Sequence, residues 1–390
     1  MYDVLRVKQG DVFCVVGIMA ENKDGKPNVI ILGGVGFIGR NLVHYLVEND
    51  LINKIRVVDK VMPAMAWLSN KHKESFKRVE FKHANLINPR SVTNAFSTPD
   101  GTTFDFVINC ASETKMGQSE AVYHDGVYKL SCNCAEEAGR HKVRRYIEMS
   151  TTQFGSSDKK PQTEVDKAEP WSLHAKYKLA VEDQLPHIPD LNFIIVRPVI
   201  VYGPSDRTGL TPRLVAGGIY RYLGEKMKLL WTKDLKMNTV HVHDVARALW
   251  HLCYHGNSGD IYNLADQGDT TQGKIADIIS DMFDISHEYI GTLASKMANL
   301  SIDEVIQDIN DKHMTPWGEA CQKDGISNTP ITPYIREDVL MHRHQFVNGT
   351  RILKTGFTYD HPTLTKDLLK EVLDDFIAMN LYPPSLIKGT

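Results

Sequence analysis

The run Gly33-Gly34-Val35-Gly36-Phe37-Ile38-Gly39 is the stretch whose residue types and spacing point most directly to chemistry. Glycines at 33, 36 and 39 let a backbone turn tightly and let a pyrophosphate come close to main-chain N–H groups. Before it, Val29-Ile30-Ile31-Leu32 is an apolar run of the kind that forms a buried strand. After it, Ile38, Leu42, Val43, Leu46 and Val47 recur at helical spacing. A strand that runs through glycines into a helix aims the positive helix end at phosphate. Asp59 lies 20 residues beyond Gly39, at the end of the next apolar run. A carboxylate there accepts hydrogen bonds from a ribose hydroxyl and repels a 2′-phosphate. The set reads as a dinucleotide site that favours NAD over NADP, with Lys60 working against that preference. Glycine triplets also occur in plain structural turns. The strand, the helix and the acid separate the two readings.

Positioning these residues requires alternating strands and helices. Ile55-Arg56-Val57-Val58 reads as a second strand, Val79 to Lys82 as a third and Phe104 to Cys110 as a fourth. A long helix is expected over Tyr123 to His141, a fifth strand over Arg145 to Ser150 and a sixth over Phe193 to Val196. Such alternation predicts an α/β fold with a doubly wound parallel sheet. From about residue 205 the pattern turns irregular and helix-rich, as expected of a smaller second lobe. Residues 1–27 read as an N-terminal extension ending in Asn22-Lys23-Asp24-Gly25-Lys26-Pro27, which is turn or linker chemistry.

Composition narrows the function classes. The 390 residues are 42% hydrophobic, enough for a large core. Forty-five basic residues against 48 acidic ones give a net charge of −3, which argues against a nucleic-acid-binding protein. The apolar run Val12 to Ala20 is about half of the roughly 20 residues that a membrane span needs. Six scattered cysteines form neither a disulfide framework nor a zinc-ligand set. The expectation is a cytoplasmic protein with no membrane partner.

Further along, the markers of one family occur in order. They are the glycine loop, Asn109-Cys110-Ala111-Ser112-Glu113-Thr114, Ser150 five residues before Gly155, and Arg197-Pro198-Val199-Ile200-Val201-Tyr202-Gly203-Pro204. Val240-His241-Val242-His243-Asp244-Val245-Ala246, Ile261-Tyr262-Asn263-Leu264 and Gly356-Phe357 complete the series. Over roughly residues 28–380 the chain resembles the extended short-chain dehydrogenase/reductases, the NAD-dependent epimerase/dehydratases. The resemblance implies a Rossmann domain over 28–205 and an interleaved C-terminal substrate lobe over 206–390. Segments near 238–265 would return to the sheet. It implies NAD contacts from Gly33, Gly36, Phe37, Ile38, Gly39, Asp59, Ala111, Lys178, Arg197 and Pro198. It also implies a homodimer, packed through the helices that contain Asn133 and Lys178.

In that family a tyrosine and a lysine four residues later share one helix face. The tyrosine moves a proton, the lysine lowers its pKa and holds the nicotinamide ribose, and a serine or threonine binds the substrate oxygen. Here Ser150 and Lys178 match, but the tyrosine position holds His174. His174 as a substitute acid–base, nearby Tyr177 swinging in, and loss of the function are three open readings. Thr151 would replace Ser150 if the register slips by one residue. The dehydratases' Asp-Glu pair is replaced by Thr151-Thr152, and the epimerases' diphosphate arginine by Met237 beside Lys236. Asp206, Arg207 and Arg213 either meet an anionic substrate or form surface ion pairs. The expected function is an NAD-dependent oxidoreductase or epimerase acting on a carbinol carbon of a small molecule, such as a nucleotide sugar. The alternative is an NAD-binding scaffold, sensor or assembly subunit with little or no catalysis.

Overall fold

A computed structural model describes residues 25–387, so the N-terminal extension lies almost wholly outside the described residues. The strands are β1 (Asn28–Leu32), β2 (Lys54–Asp59), β3 (Glu80–His83), β4 (Phe106–Asn109), β5 (Arg145–Met149), β6 (Phe193–Pro198), β7 (Ile200–Tyr202), β8 (Met227–Leu229), β9 (Thr239–His241), β10 (Ile261–Leu264) and β11 (His287–Tyr289). Seven of them form one parallel sheet in the order β10-β6-β5-β4-β1-β2-β3. The order steps outward from β1 to β3, then reverses through β4. The crevice beyond the carboxyl ends of β1 and β4 is therefore the topological switch point, where ligands bind in such sheets.

The central strands are buried on both faces because helices cover both, which explains runs such as Val29-Ile30-Ile31-Leu32 with no polar alternation. Val29, Ile31, Val57, Phe106 and Ile108 face one way, against helices Phe37–Glu48 and Val242–Tyr254. Ile30, Leu32, Val58 and Val107 face the other, against helices Pro89–Phe96, Leu130–Arg140 and Leu173–Gln184. A second core forms where Tyr202, Leu214 and Trp231 meet helices Gln272–Phe283, Ile302–Lys323 and Lys366–Ala378.

The chain crosses between these cores more than once. β9 pairs with β7, helix Val242–Tyr254 packs beside helix Phe37–Glu48, and β10 joins the edge of the main sheet on β6. The helix expected over Tyr123 to His141 begins earlier, at Glu120, and passes through a widened π-type stretch at His124–Lys129. Gly126 lies in that stretch with its Cα against Glu113, where a Cβ would stand 2.8 Å from the glutamate Cβ. No helix among the described residues is long and apolar enough to cross a membrane.

Candidate functional site

The glycine loop lies at the switch point. Gly33 has φ +71°, its N–H donates to Val58 O, and Gly36 N–H donates back to Gly33 O at 3.0 Å. A Cβ on Gly33 would stand 2.6 Å from the Ala111 backbone, and one on Gly39 would stand 2.5 Å from Gly33 O. These glycines let strand, loop and helix close on one another. Helix Phe37–Glu48 starts at Gly36 with no side-chain cap and no acid in its first turn. Its first N–H groups and positive end are left for a ligand. Asp59 ends β2 beside the loop. Its Oδ2 accepts Val35 N–H at 3.1 Å and its Oδ1 accepts Val61 N–H at 3.0 Å. Burial pushes its carboxyl pKa up against these stabilising bonds.

Two adjoining compartments open from this loop. One, of about 590 Å³, is walled by Val35, Asp59, Ala84, Asn85 and Ala111. The other, of about 410 Å³, is walled by Phe37, Ile38, Thr151, Gln153, Trp171 and Pro198, with Arg213, Arg343 and Gln345 from later in the chain. Gly33, Gly36, Cys110 and Ser112 border both. The placement suits an elongated ligand with its phosphates at the helix end and its two halves in the two compartments.

The residues expected to be catalytic do not all meet here. Ser150 does not face the cleft: its hydroxyl donates to Glu182, and Glu182 holds Arg197 through Nε at 2.9 and 3.1 Å. Arg197 is buried in that ion pair over the Phe154 ring, so neither it nor Ser150 forms part of the cleft wall. Thr151, the residue next to Ser150, does line the cleft. Tyr177 does not swing in. Its hydroxyl donates to Glu120 at 3.1 Å, beside Lys176 on the same carboxylate at 2.6 Å. Lys178 is fully buried, with Nζ 3.0 Å from Glu148 Oε1 and 2.5 Å from Met149 O, and does not reach the cleft wall. Glu148 also accepts from Asn109, Ser131 and Tyr146. His174 keeps the tyrosine position on its helix, with Nε2 3.5 Å from Ser112 Oγ and Tyr123 across its ring. Burial and the Lys178 charge lower its pKa to about 3, so the imidazole is neutral.

Asp206, Arg207 and Arg213 separate as well. Asp206 is buried and accepts N–H bonds from Thr208, Gly209, Leu210 and Thr211 in its own loop. Arg207 enters the larger compartment and Arg213 the smaller. Arg343 and Gln345 went unnoticed in the sequence, because they fall between recognisable motifs. Glu148 carried a signal: an acid inside the apolar strand Tyr146-Ile147-Glu148-Met149 must be buried and must have partners.

The sequence model of the NAD dependent epimerase/dehydratase family matches residues 29–265. The chain belongs to this family. A putative UDP-arabinose 4-epimerase of Arabidopsis thaliana is 25% identical over 222 residues, 54% of this chain and 50% of that protein. A probable dTDP-glucose 4,6-dehydratase of Sinorhizobium fredii is 24% identical over 262 residues, 62% of this chain and 72% of that one. The chain thus spans about half the length of the plant relatives it matches. Among solved structures, a UDP-N-acetylglucosamine 4-epimerase of Methanobrevibacter ruminantium superposes with a TM-score of 0.66 at 17% identity, covering 91% of this chain and 99% of its own. The NAD complex of a Thermus thermophilus UDP-glucose 4-epimerase gives 0.63 at 17%, covering 90% and 99%. These likenesses share the fold.

NAD is the family's cofactor, and the residues present fit it. The uncapped helix end and the glycine cradle suit a pyrophosphate, and Asp59 suits a ribose hydroxyl. Of the residues expected to contact NAD, Gly33, Gly36, Phe37, Ile38, Gly39, Asp59, Ala111 and Pro198 each line one compartment or both; Lys178 and Arg197 line neither. Among the described residues no cluster could hold a metal ion and five cysteines are free.

Proposed function

We propose that this chain is an NAD-dependent oxidoreductase of the epimerase type, acting on a carbinol carbon of an anionic, nucleotide-sugar-like substrate. The observation that carries this reading is the smaller compartment. It continues from the glycine loop and brings one hydroxyl, Thr151, to the same wall as two guanidinium groups, Arg213 and Arg343. A dinucleotide held only for structural reasons needs no such space. NAD, when bound, supplies the hydride acceptor. The chain supplies the rest. The Thr151 hydroxyl hydrogen-bonds the substrate oxygen, and the two arginines meet its phosphates. Ser112 borders the cleft and stands next to His174, so it links the substrate hydroxyl to Nε2 of the neutral imidazole, a proton acceptor weakened by burial and by Lys178. The relatives named as UDP-arabinose 4-epimerases and dTDP-glucose 4,6-dehydratase support the substrate class.

A second reading, a protein that binds NAD without turnover, is favoured by one feature. The Lys178 ammonium is bound to Glu148 and no tyrosine stands four residues before it. A single series of measurements separates the two. Purified protein is titrated with NAD, then mixed with a panel of nucleotide sugars and alcohols while NADH absorbance is followed. Substrate-dependent reduction is expected, lost in Thr151→Val and His174→Ala and kept in Tyr177→Phe and Ser150→Ala. NAD binding with neither NADH formation nor an epimerised product from any member of the panel establishes the second reading. No binding at millimolar NAD defeats both.

A further inference from the structure

We propose that Arg207, carried by the loop that opens the second lobe, is a phosphate-binding residue for the adenosine half of the dinucleotide. The inference rests on the NAD assignment and adds to it a residue outside the glycine loop. Arg207 forms part of the wall of the larger compartment, with Asp59, Val35 and Gly36, and none of the compartment that holds Thr151. It is half-buried, yet it makes no ion pair among the described residues. Its one hydrogen bond runs from Nη2 to Ala66 O at 3.3 Å. The adjacent acid is not its partner, because Asp206 is buried and accepts from four backbone N–H groups of its own loop. Asp375 accepts from Ser205 instead.

The contrast with Arg40 sharpens the point. Arg40 also borders this compartment, but its guanidinium bonds the carbonyls of Val35, Gly36, Ala66 and Trp67. Those bonds fix the 61–67 loop against the glycine loop and leave Arg40 little to offer a ligand. Arg207 shares Ala66 O with it, so two like charges stand side by side in a partly desolvated wall. Burial and Arg207 lower the Arg40 pKa to about 10, against the opposing charges of Asp375 and Asp59. Two partly desolvated cations that share one carbonyl and form no ion pair among the described residues are costly unless an anion enters the cavity they face. The anion that belongs in this cavity is a dinucleotide phosphate, and the free fork of Arg207 can grip it in a bidentate manner. The second lobe would then close over the cofactor as well as over the substrate.

The test is a titration of the full chain and of Arg207→Gln and Arg207→Lys with NAD and with AMP, each at low and high salt. AMP carries the adenosine-side phosphate alone. Arg207→Gln should weaken both ligands by about 10- to 100-fold at low salt, the range for a lost charged hydrogen bond. The gap should narrow at high salt, and Arg207→Lys should recover part of it. The ligand-free Arg207→Gln protein should melt no lower than the parent, since the change removes an unpaired cation. The proposal is overturned if Arg207→Gln binds NAD within twofold of the parent. It is also overturned if NAD weakens and AMP does not, or if the loss is independent of salt with lysine no better than glutamine. A parent chain that binds no NAD defeats the cofactor assignment itself, an outcome distinct from these.

Discussion

Glu148 is where single residues most clearly set this chain apart from the pattern its motifs imply. A carboxylate with no exposure accepts from Asn109 at 2.7 Å, Ser131 at 2.8 Å, Tyr146 at 2.7 Å and Lys178 at 3.0 Å. Four donors on one buried acid offset the desolvation that would otherwise exclude the charge. Removing the acid leaves the Lys178 ammonium buried against Met149 O alone. Glu148→Gln should therefore cost about 3–5 kcal/mol of unfolding free energy. Glu148→Gln with Lys178→Met should cost less than the single change, because the second substitution removes the stranded charge. Urea denaturation of the three proteins measures both; a single-variant loss under about 1 kcal/mol would show that the pair is not coupled as described. The Lys178 side chain was legible from its spacing to His174. Its partner was not, because spacing along one helix says nothing of what a neighbouring strand presents. Ser150 and Thr151 make the same point. Counting from Gly155 selected Ser150, but just past the end of β5 the Ser150 hydroxyl is bonded to Glu182, and of the two residues Thr151 lines the cleft.

The elements around the glycine loop were the most legible part of the chain. Strand, glycines and helix are specified by local rules: an apolar run, three positions where a side chain has no room, and a helical stripe. Six of the seven strands of the main sheet lie within a few residues of where their apolar runs placed them. Elements that depend on distant contacts were not readable. The widened stretch at His124–Lys129 packs its Gly126 against Glu113, and β11 (His287–Tyr289) pairs with β8, a strand far away in sequence. Helix Gly291–Leu300 leaves Leu293, Met297 and Leu300 exposed, a stripe with no counterpart among the described residues. A local rule can be tested locally. In Gly39→Ala the new methyl would lie 2.5 Å from both Gly33 O and Gly34 Cα, and both are backbone atoms. The helix start must shift away from the loop. The expected result is a loss of NAD affinity of at least tenfold, about 1.4 kcal/mol, with the circular dichroism of the helices retained. Unchanged affinity would mean that the loop does not hold the phosphates.

At the scale of the whole molecule, histidines dominate the response to pH. His72, His174 and His241 are buried in different places, against helix Phe37–Glu48, beside Lys178 and beneath His361. Desolvation, with neighbouring positive charge, lowers their pKa values to about 2, about 3 and about 3. Unfolded, each returns to about 6.5. Between those limits the unfolded chain therefore binds about three protons that the folded chain refuses. Asp266 acts in the opposite sense. Burial raises its pKa to about 6, so at pH 5 the folded chain holds one proton that the unfolded chain has released. Across these four groups the net difference is about two protons in favour of the unfolded state, and His251, lowered to about 4, adds to it in the same sense. Stability then rises with pH through this window and falls as pH drops below about 6.5, by about 2.7 kcal/mol per unit near pH 5. Below about pH 4, Asp244 adds to the loss, because its bonds to Asp360, His361 and Arg247 hold its pKa down at about 2. The check is the urea midpoint at a series of pH values from 7 to 5. His72→Gln should lower the pH slope by about one proton, whatever it does to stability at pH 7, since glutamine does not titrate. Stability that is flat or rising from pH 6.5 to pH 5 would show that these histidines are not held neutral in the fold.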